Sequence, residues 1–365
     1  MTGFGTLVSI AQFGAREGID STTAIQLAIN SGLPLYVPPG IFTTTQPLNT
    51  TLYASLVMIG AGRNRSVIRN DLSTVFNWQG TGSHLAHMKL QGWNGHIFDQ
   101  VGNTTNCHWH DLYLVQWGEN FSVYRHTNSL GNHLFNTWSH FHSEHQIGAT
   151  VPTFNFVVNV MDGATCFNIW EDGEVNQTGN YGFHFESGLP GNMIYDMITR
   201  DIAWEVPSGG CVKVLGGCHT VIDNHKVYDL NEEMGSMAIK HLIHIGQGTH
   251  PVSPSPTRHT TIARFAHHGP PAELDVGVRH IFLEPSNQVH ATTVEHCRPN
   301  STGNLLVDYG NNAVTEISCP QMTRYNDAQT VELNHQGIVM RSPNGTRFRL
   351  SAPPNGGGSV SWSAA

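Results

Sequence analysis

The stretch Phe13-Gly14-Ala15-Arg16-Glu17-Gly18-Ile19-Asp20-Ser21-Thr22-Thr23-Ala24-Ile25-Gln26-Leu27-Ala28-Ile29-Asn30, followed by Leu35-Tyr36-Val37-Pro38-Pro39-Gly40, decides how this chain is read. Asp20 or Ser21 can cap a first helical turn, and Ile25, Ala28 and Ile29 fall on one helical face. Asn30, Ser31 and Gly32 end the helix. Leu35-Tyr36-Val37 reads as a strand, Pro38-Pro39-Gly40 as a turn, and Ile41 to Thr45 as a returning strand. A short amphipathic helix ahead of a run of strands suits a lid. The end of a stack of strands is an open edge, and a helix laid over it blocks stray pairing and water.

Outward from that stretch, Val57-Met58-Ile59, a Gly60-Ala61-Gly62 turn and Ser66-Val67-Ile68 repeat the pattern of short strand, turn and strand. From residue 84 a loose repeat emerges, one phase of it beginning near His84, His108, His133, Cys166, Met193 and His219. Each unit holds two short apolar segments, a polar corner and a turn bearing Gly or Asn. A period of a few tens of residues marks stacked units that cannot bury their own faces alone. Strands without intervening helices make the stack a β-solenoid. Composition agrees: charged residues are only 12% of the chain and Gly numbers 38, which suits strands and tight turns and leaves no material for long helices. Later strands are expected at residues 238–245, 278–283, 292–294 and 305–307, with an exposed loop at Pro251-Val252-Ser253-Pro254-Ser255-Pro256. Gly337 to Leu350 reads as a β-hairpin turning at Asn344-Gly345. The last fifteen residues read as a loosely ordered tail.

The order of Phe13-Gly14-Ala15, Asp20, short helix and Tyr36-Val37-Pro38-Pro39-Gly40 resembles the opening of pectate-lyase-like β-helix domains in bacteriophage tailspikes. The closing Ser342-Pro343-Asn344-Gly345-Thr346-Arg347-Phe348-Arg349 is similar to the ends of many phage tail proteins. The family usually carries more acidic residues around the Asp; here Ser and Thr follow Asp20. The resemblance implies an all-β, right-handed parallel β-helix with an N-terminal cap (1–50), a solenoid body (51–320) and a C-terminal hairpin and tail (321–365). It further implies a homotrimer attached to a phage tail or baseplate protein, carried on the virion and made in the host cytoplasm. Its implied activity is that of an endo-glycosidase-type depolymerase acting on a bacterial surface polysaccharide, capsule or O-antigen. A lyase acting by β-elimination and a non-catalytic glycan-binding fibre are the alternatives.

Several classes are disfavoured. A net charge of −9 with no basic face argues against nucleic-acid binding. No apolar run approaches the roughly 20 residues of a membrane-spanning helix, so membrane insertion is not expected. Residues 1–12 lack the basic start and apolar core of a signal peptide. The 6 cysteines are irregularly spaced with no CxxC pair, and read as small buried hydrophobes, with Cys211–Cys218 the one pairing worth checking. No esterase elbow or phosphate-binding loop occurs, and no cofactor is expected.

The chemistry is expected in the carboxylates at mid-chain. Glycoside hydrolysis uses two carboxyl groups, about 5–5.5 Å apart for retention and about 6.5–9.5 Å for inversion. Residues i and i+2 on a strand lie roughly 6.5–7 Å apart on one face. In Trp170-Glu171-Asp172-Gly173-Glu174-Val175-Asn176, Asp172 and Glu174 would share a face, with Glu171 on the other. One unit later come Arg200-Asp201 and Trp204-Glu205. Asp172, Glu174, Asp201, Glu205 and Glu171 are therefore the catalytic candidates. Trp170 and Trp204 could stack on sugar rings or equally serve as core or corner residues, and His184, Glu186 and Arg200 complete the expected substrate contacts. Asp111, Asp172, Asp196 and Asn224 recur at similar places and can equally form a polar corner ladder. The 23 histidines include His108 and His110 on one strand face, and His140, His142 and His145 around Glu144. Their spacing supplies no firm third ligand, so no metal site is assigned.

Overall fold

The computed structural model describes residues 6–50, 55–127, 131–146, 149–159, 164–176, 180–190, 194–205, 210–228, 241–268, 279–285, 288–299, 305–310, 312, 314–319, 322–325, 332–334, 337–341, 347–351 and 361–364. Their strands form one 33-stranded parallel sheet wound into a solenoid, plus a separate 4-stranded antiparallel sheet at the C-terminal end. This is the expected parallel β-helix. Helix α1 (Thr22–Asn30) caps it, burying Ile25, Ala28 and Ile29. The capping contact comes from Asp20, whose Oδ1 accepts the Thr22 amide at 3.0 Å. Ser21 instead donates its hydroxyl to the Arg16 carbonyl.

Each coil runs through three faces. Face A holds the short strands at 84–86, 108–110, 137–139, 169–171, 198–200, 221–223, 261–263, 293–295 and 315–317. Face B follows, at 89–92, 113–116, 142–145, 174–176, 203–205, 226–228, 266–267 and 298–299. Face C follows a loop, at 98–105, 124–127, 154–158, 183–187, 212–215, 243–246 and 281–283.

Two columns of left-handed residues make the corners on either side of face A. Between faces C and A stand Asn106, Phe135, Phe167, Asp196, His219, His259 and Ala291. Between faces A and B stand His87, Asp111, His140, Asp172, Asp201, Asn224, Arg264, His296 and Ser318, all with φ between 49° and 56°. A single residue at positive φ turns the chain sharply, and Asn and Asp tolerate that region best. The expected polar corner is thus real, but Asp196 belongs to the other column. The repeat phase is corrected likewise. His84 and His108 are in register with Thr137, not with His133, and His133 pairs with Thr104 and Thr165 one corner upstream. Loops of unequal length between faces hide the true phase.

The core is a stack of rings. Trp109, Trp138 and Trp170 occupy one inward position in successive coils, with Trp109 and Trp138 stacked at 4.3 Å and 9°. Phe98, Tyr124, Phe154 and Phe183 occupy another. Beside them, Asn136 and Asn168 form a buried ladder: Asn168 Oδ1 accepts the Asn136 amide, and Asn136 Oδ1 accepts the Cys107 amide, each at 2.9 Å. All 6 cysteines are free, so Cys211 and Cys218 are not bridged. The hairpin exists as strands Gly337–Arg341 and Arg347–Ser351; its turn lies outside the described residues. The end of the chain differs from a loose tail: Ser361–Ala364 adds a further strand against Phe348–Ser351.

Candidate functional site

The corner at Asp172 decides where the mid-chain carboxylates go. In an unbroken strand Glu171 would oppose Asp172 and Glu174. The left-handed turn at Asp172 interrupts that alternation. Trp170 points in, Glu171 and Asp172 both point out, Gly173 points in, and Glu174 points out again on the next face. Asp172 and Glu174 therefore flank a corner and do not share a flat face. In the next coil Arg200 and Asp201 point out, Ile202 in, and Glu205 out.

Among the described residues, face B carries a connected network of polar and ionisable side chains. It occupies two outward positions: Lys89, Tyr113, His142 and Glu174 in one column, Glu144, Asn176 and Glu205 in the other. His142 stands at the centre, with Nδ1 3.0 Å from Glu174 Oε2 and Nε2 3.2 Å from Glu144 Oε1. Tyr113 donates its hydroxyl to Glu144 at 2.6 Å. Asn176 donates to Glu174 at 3.2 Å and to Glu205 at 3.4 Å. Lys89 Nζ lies 4.3 Å over the Tyr113 ring. Burial, then the bond to Glu144, pushes the Tyr113 hydroxyl well above its ordinary value, so it stays protonated and donates. Burial pushes Lys89 down.

Proton counting gives this network its chemistry. Both ring nitrogens of His142 face a carboxylate, yet a neutral imidazole carries only one N–H. Satisfying both contacts takes a second proton, held either on the ring or on one of the carboxyls. Glu144 and Glu174 are one coil and two residues apart, a diagonal of about 8 Å from strand spacings of about 4.8 and 6.7 Å. That is a backbone separation; the two carboxyls themselves stand on opposite nitrogens of the His142 ring, at 3.0 and 3.2 Å from it.

The other expected residues lie elsewhere. Glu171 sits on face A, held by Arg200 through Nε at 2.8 Å and through Nη2. Asp172 and Asp201 are corner residues; Asp172 lies 3.8 Å from His140, and Asp201 accepts from Asn224. Trp170 and Trp204 are corrected outright: both are 0% exposed within the core and cannot meet a sugar. The exposed stacked rings are instead Phe135 and Phe167, centroids 4.8 Å apart, on the corner between faces C and A.

His184 and Glu186 form a separate cluster on face C, 2.9 Å apart. Glu186 also accepts from Thr249 at 2.6 Å. Burial opposes ionisation of Glu186, but the bonds from His184 and Thr249 outweigh it and hold the carboxyl below its ordinary value. Burial pushes His184 down. In the coils beyond, Lys213 and then His244 continue the His184 column, and His244 lies 2.9 Å from Glu284 and 3.3 Å from the Tyr181 hydroxyl. Sequence reasoning missed Tyr113, Lys213 and Glu284, and grouped Glu144 and His142 without Glu174. The signal available was a pair of outward residues two and four places after a left-handed corner, at 142 and 144, 174 and 176, 203 and 205; after Asp111 only Tyr113 is outward, Val115 being buried.

No protein-family model matches the sequence, and the curated proteins give no match. Solved structures do. A crystal structure of Dettilon tailspike protein superposes with a TM-score of 0.52 at 13% identity, covering 94% of this chain and 76% of that one. PfbA, a surface adhesin of Streptococcus pneumoniae, superposes with a TM-score of 0.56 at 10% identity, covering 95% of this chain and 100% of that one. At such identities the likeness is one of fold, and it places this chain among the right-handed parallel β-helix proteins.

Proposed function

We propose that this chain is a polysaccharide depolymerase that hydrolyses a bacterial surface glycan on face B, with Glu144 and Glu174 as the paired carboxylates. The observation that carries the reading is the Glu144–His142–Glu174 bridge, two carboxylates sharing one imidazole on an outward face. In this reading Glu144, bonded to Tyr113, draws a proton from the attacking water, and Glu174, the more exposed, hands a proton to the leaving oxygen. His142 moves the shared proton between them. This reading keeps Glu174 from the sequence candidates and gives Glu205 a supporting place through Asn176. In its biological setting the chain is read as a homotrimeric phage tail component, a role that its likeness in fold to a tailspike supports.

The test is incubation with capsule and O-antigen polysaccharides from a panel of bacterial hosts, followed by mass spectrometry. Products that gain one water are expected. Glu144→Gln and Glu174→Gln should each lower kcat by about 10²–10⁴-fold with binding retained. Undiminished turnover in the double variant would remove this site.

A second reading rests on face C. Lys213 lies in register between His184 and His244, and β-elimination needs a cation beside a uronate carboxylate together with a base. Products with an unsaturated uronic end, lost in Lys213→Gln and kept in Glu174→Gln, would move the chemistry there.

A further inference from the structure

Face B continues past the carboxylate network, and its character reverses. The column that holds His142 and Glu174 runs on through Ala203, Lys226, Ala266 and Arg298. Alanine on alternate coils leaves a trough whose floor is Ala266 and whose ends are Lys226 and Arg298. Its volume is about 580 Å³. One wall is His268, stacked on Tyr228 at 4.7 Å; the other is the corner pair Arg264 and His296. Arg264 is occupied by Asp223, which it meets through Nε at 2.8 Å, and Glu295 lies near it. Lys226 and Arg298 have no ion pair among the described residues. They are two coils apart, roughly 10 Å at about 4.8 Å per coil. A carboxylate- or phosphate-sized anion seated on Ala266 would lie within reach of both long side chains. Lys226, Arg298 and His268 line the same trough; burial, and then the charges of Lys226 and Arg298, push the His268 imidazole below its ordinary value.

We infer that this trough binds a negatively charged substituent of the glycan, so that the substrate of face B is an acidic polysaccharide, with its anionic group anchored at Lys226 and Arg298 while a neighbouring linkage lies at Glu144 and Glu174. The inference rests on the face B reading above and adds the substrate class. A short patch with two cations that have no ion pair among the described residues, on a chain of net charge −9, suits one anion per sugar repeat and not a nucleic-acid backbone. Glu174 and Lys226 are two coils apart on the same column, so one extended polymer along the solenoid axis meets both.

The experiment is a binding assay on immobilised polysaccharides of three kinds: uronate-containing, phosphate-containing and neutral bacterial polymers. The wild-type protein and the Lys226→Gln/Arg298→Gln variant are compared at low and high salt, with cleavage followed in parallel. Both side chains are exposed, and a circular dichroism melt confirms that the variant folds. The expected result is that the bound and cut polymers are anionic, with the uronate and phosphate arms distinguishing the charged group. Each lost charge-assisted contact should weaken binding roughly tenfold, and salt should weaken the wild type more than the variant. Cleavage of a neutral polymer, or equal affinity in variant and wild type, overturns the acidic-substrate inference and leaves the hydrolase reading standing. No polymer bound or cut overturns both.

Discussion

Replacing Trp170 by alanine separates two roles that the same residue could have had. The indole is fully buried, in register with Trp138, and its ring centroid lies 5.3 Å from Phe156, 5.5 Å from Phe185 and 5.7 Å from Phe183. An aromatic side chain of this size buries about 150–250 Å², worth about 4–6 kcal/mol at roughly 25 cal/mol per Å². Measured Trp-to-Ala losses in cores are about 3–5 kcal/mol. No hydrogen bond offsets or adds to this, because the Trp170 Nε1 is unpartnered among the described residues. For a chain of 365 residues, an unfolding entropy of about 2.1 cal/mol/K per residue gives about 0.75 kcal/mol per degree. The expected fall in Tm is therefore about 4–7 °C, with glycan affinity unchanged below the melt. Calorimetry and a binding isotherm on the same preparation test it. An unaltered Tm with binding abolished would refute the core assignment and restore the sugar-platform role.

The remaining predictions concern the corner and the buried histidines. Gly173→Ala puts a methyl 2.3 Å from the Phe141 ring; this overpacking should cost about 1–3 kcal/mol and shift Glu174, lowering both the urea midpoint and any cleavage. A variant of full stability would show that the coil yields there. His96, His126, His145 and His225 are pushed down to about 4, in each case mainly by burial. Their unfolded value is about 6.5. Above that pH both states are neutral and nothing is lost. Between about 6.5 and 4 the unfolded chain takes up protons that the folded one refuses. Stability therefore falls through that window, by up to about 3 kcal/mol for each group, and levels off below it. Urea midpoints at pH 7.5, 5.5 and 4.5 should drop in that order; a constant midpoint would mean that these rings are protonated when folded.

The class of fold was legible from residue pattern alone. Short strands, glycine turns, scarce charge and the capping segment around Asp20 to Asn30 leave little choice but a stack, because no single coil can bury its own apolar face. Inward alternation was equally legible in part: His108 and His110 do flank a buried Trp109. Register was not. Loops of unequal length put His133 and Thr137 in competition for the place opposite His108, and hydrogen bonds between coils settled it. The site was not legible either. A local period of two cannot show that one left-handed residue, Asp172, throws Glu171 and Glu174 onto different faces. Nor can it show that Trp170 belongs inside. Residues about thirty apart in the chain, Tyr113, His142 and Glu174, meet only because coils stack along one axis. That long-range coincidence is a property of the wound chain, and only the tertiary structure supplies it.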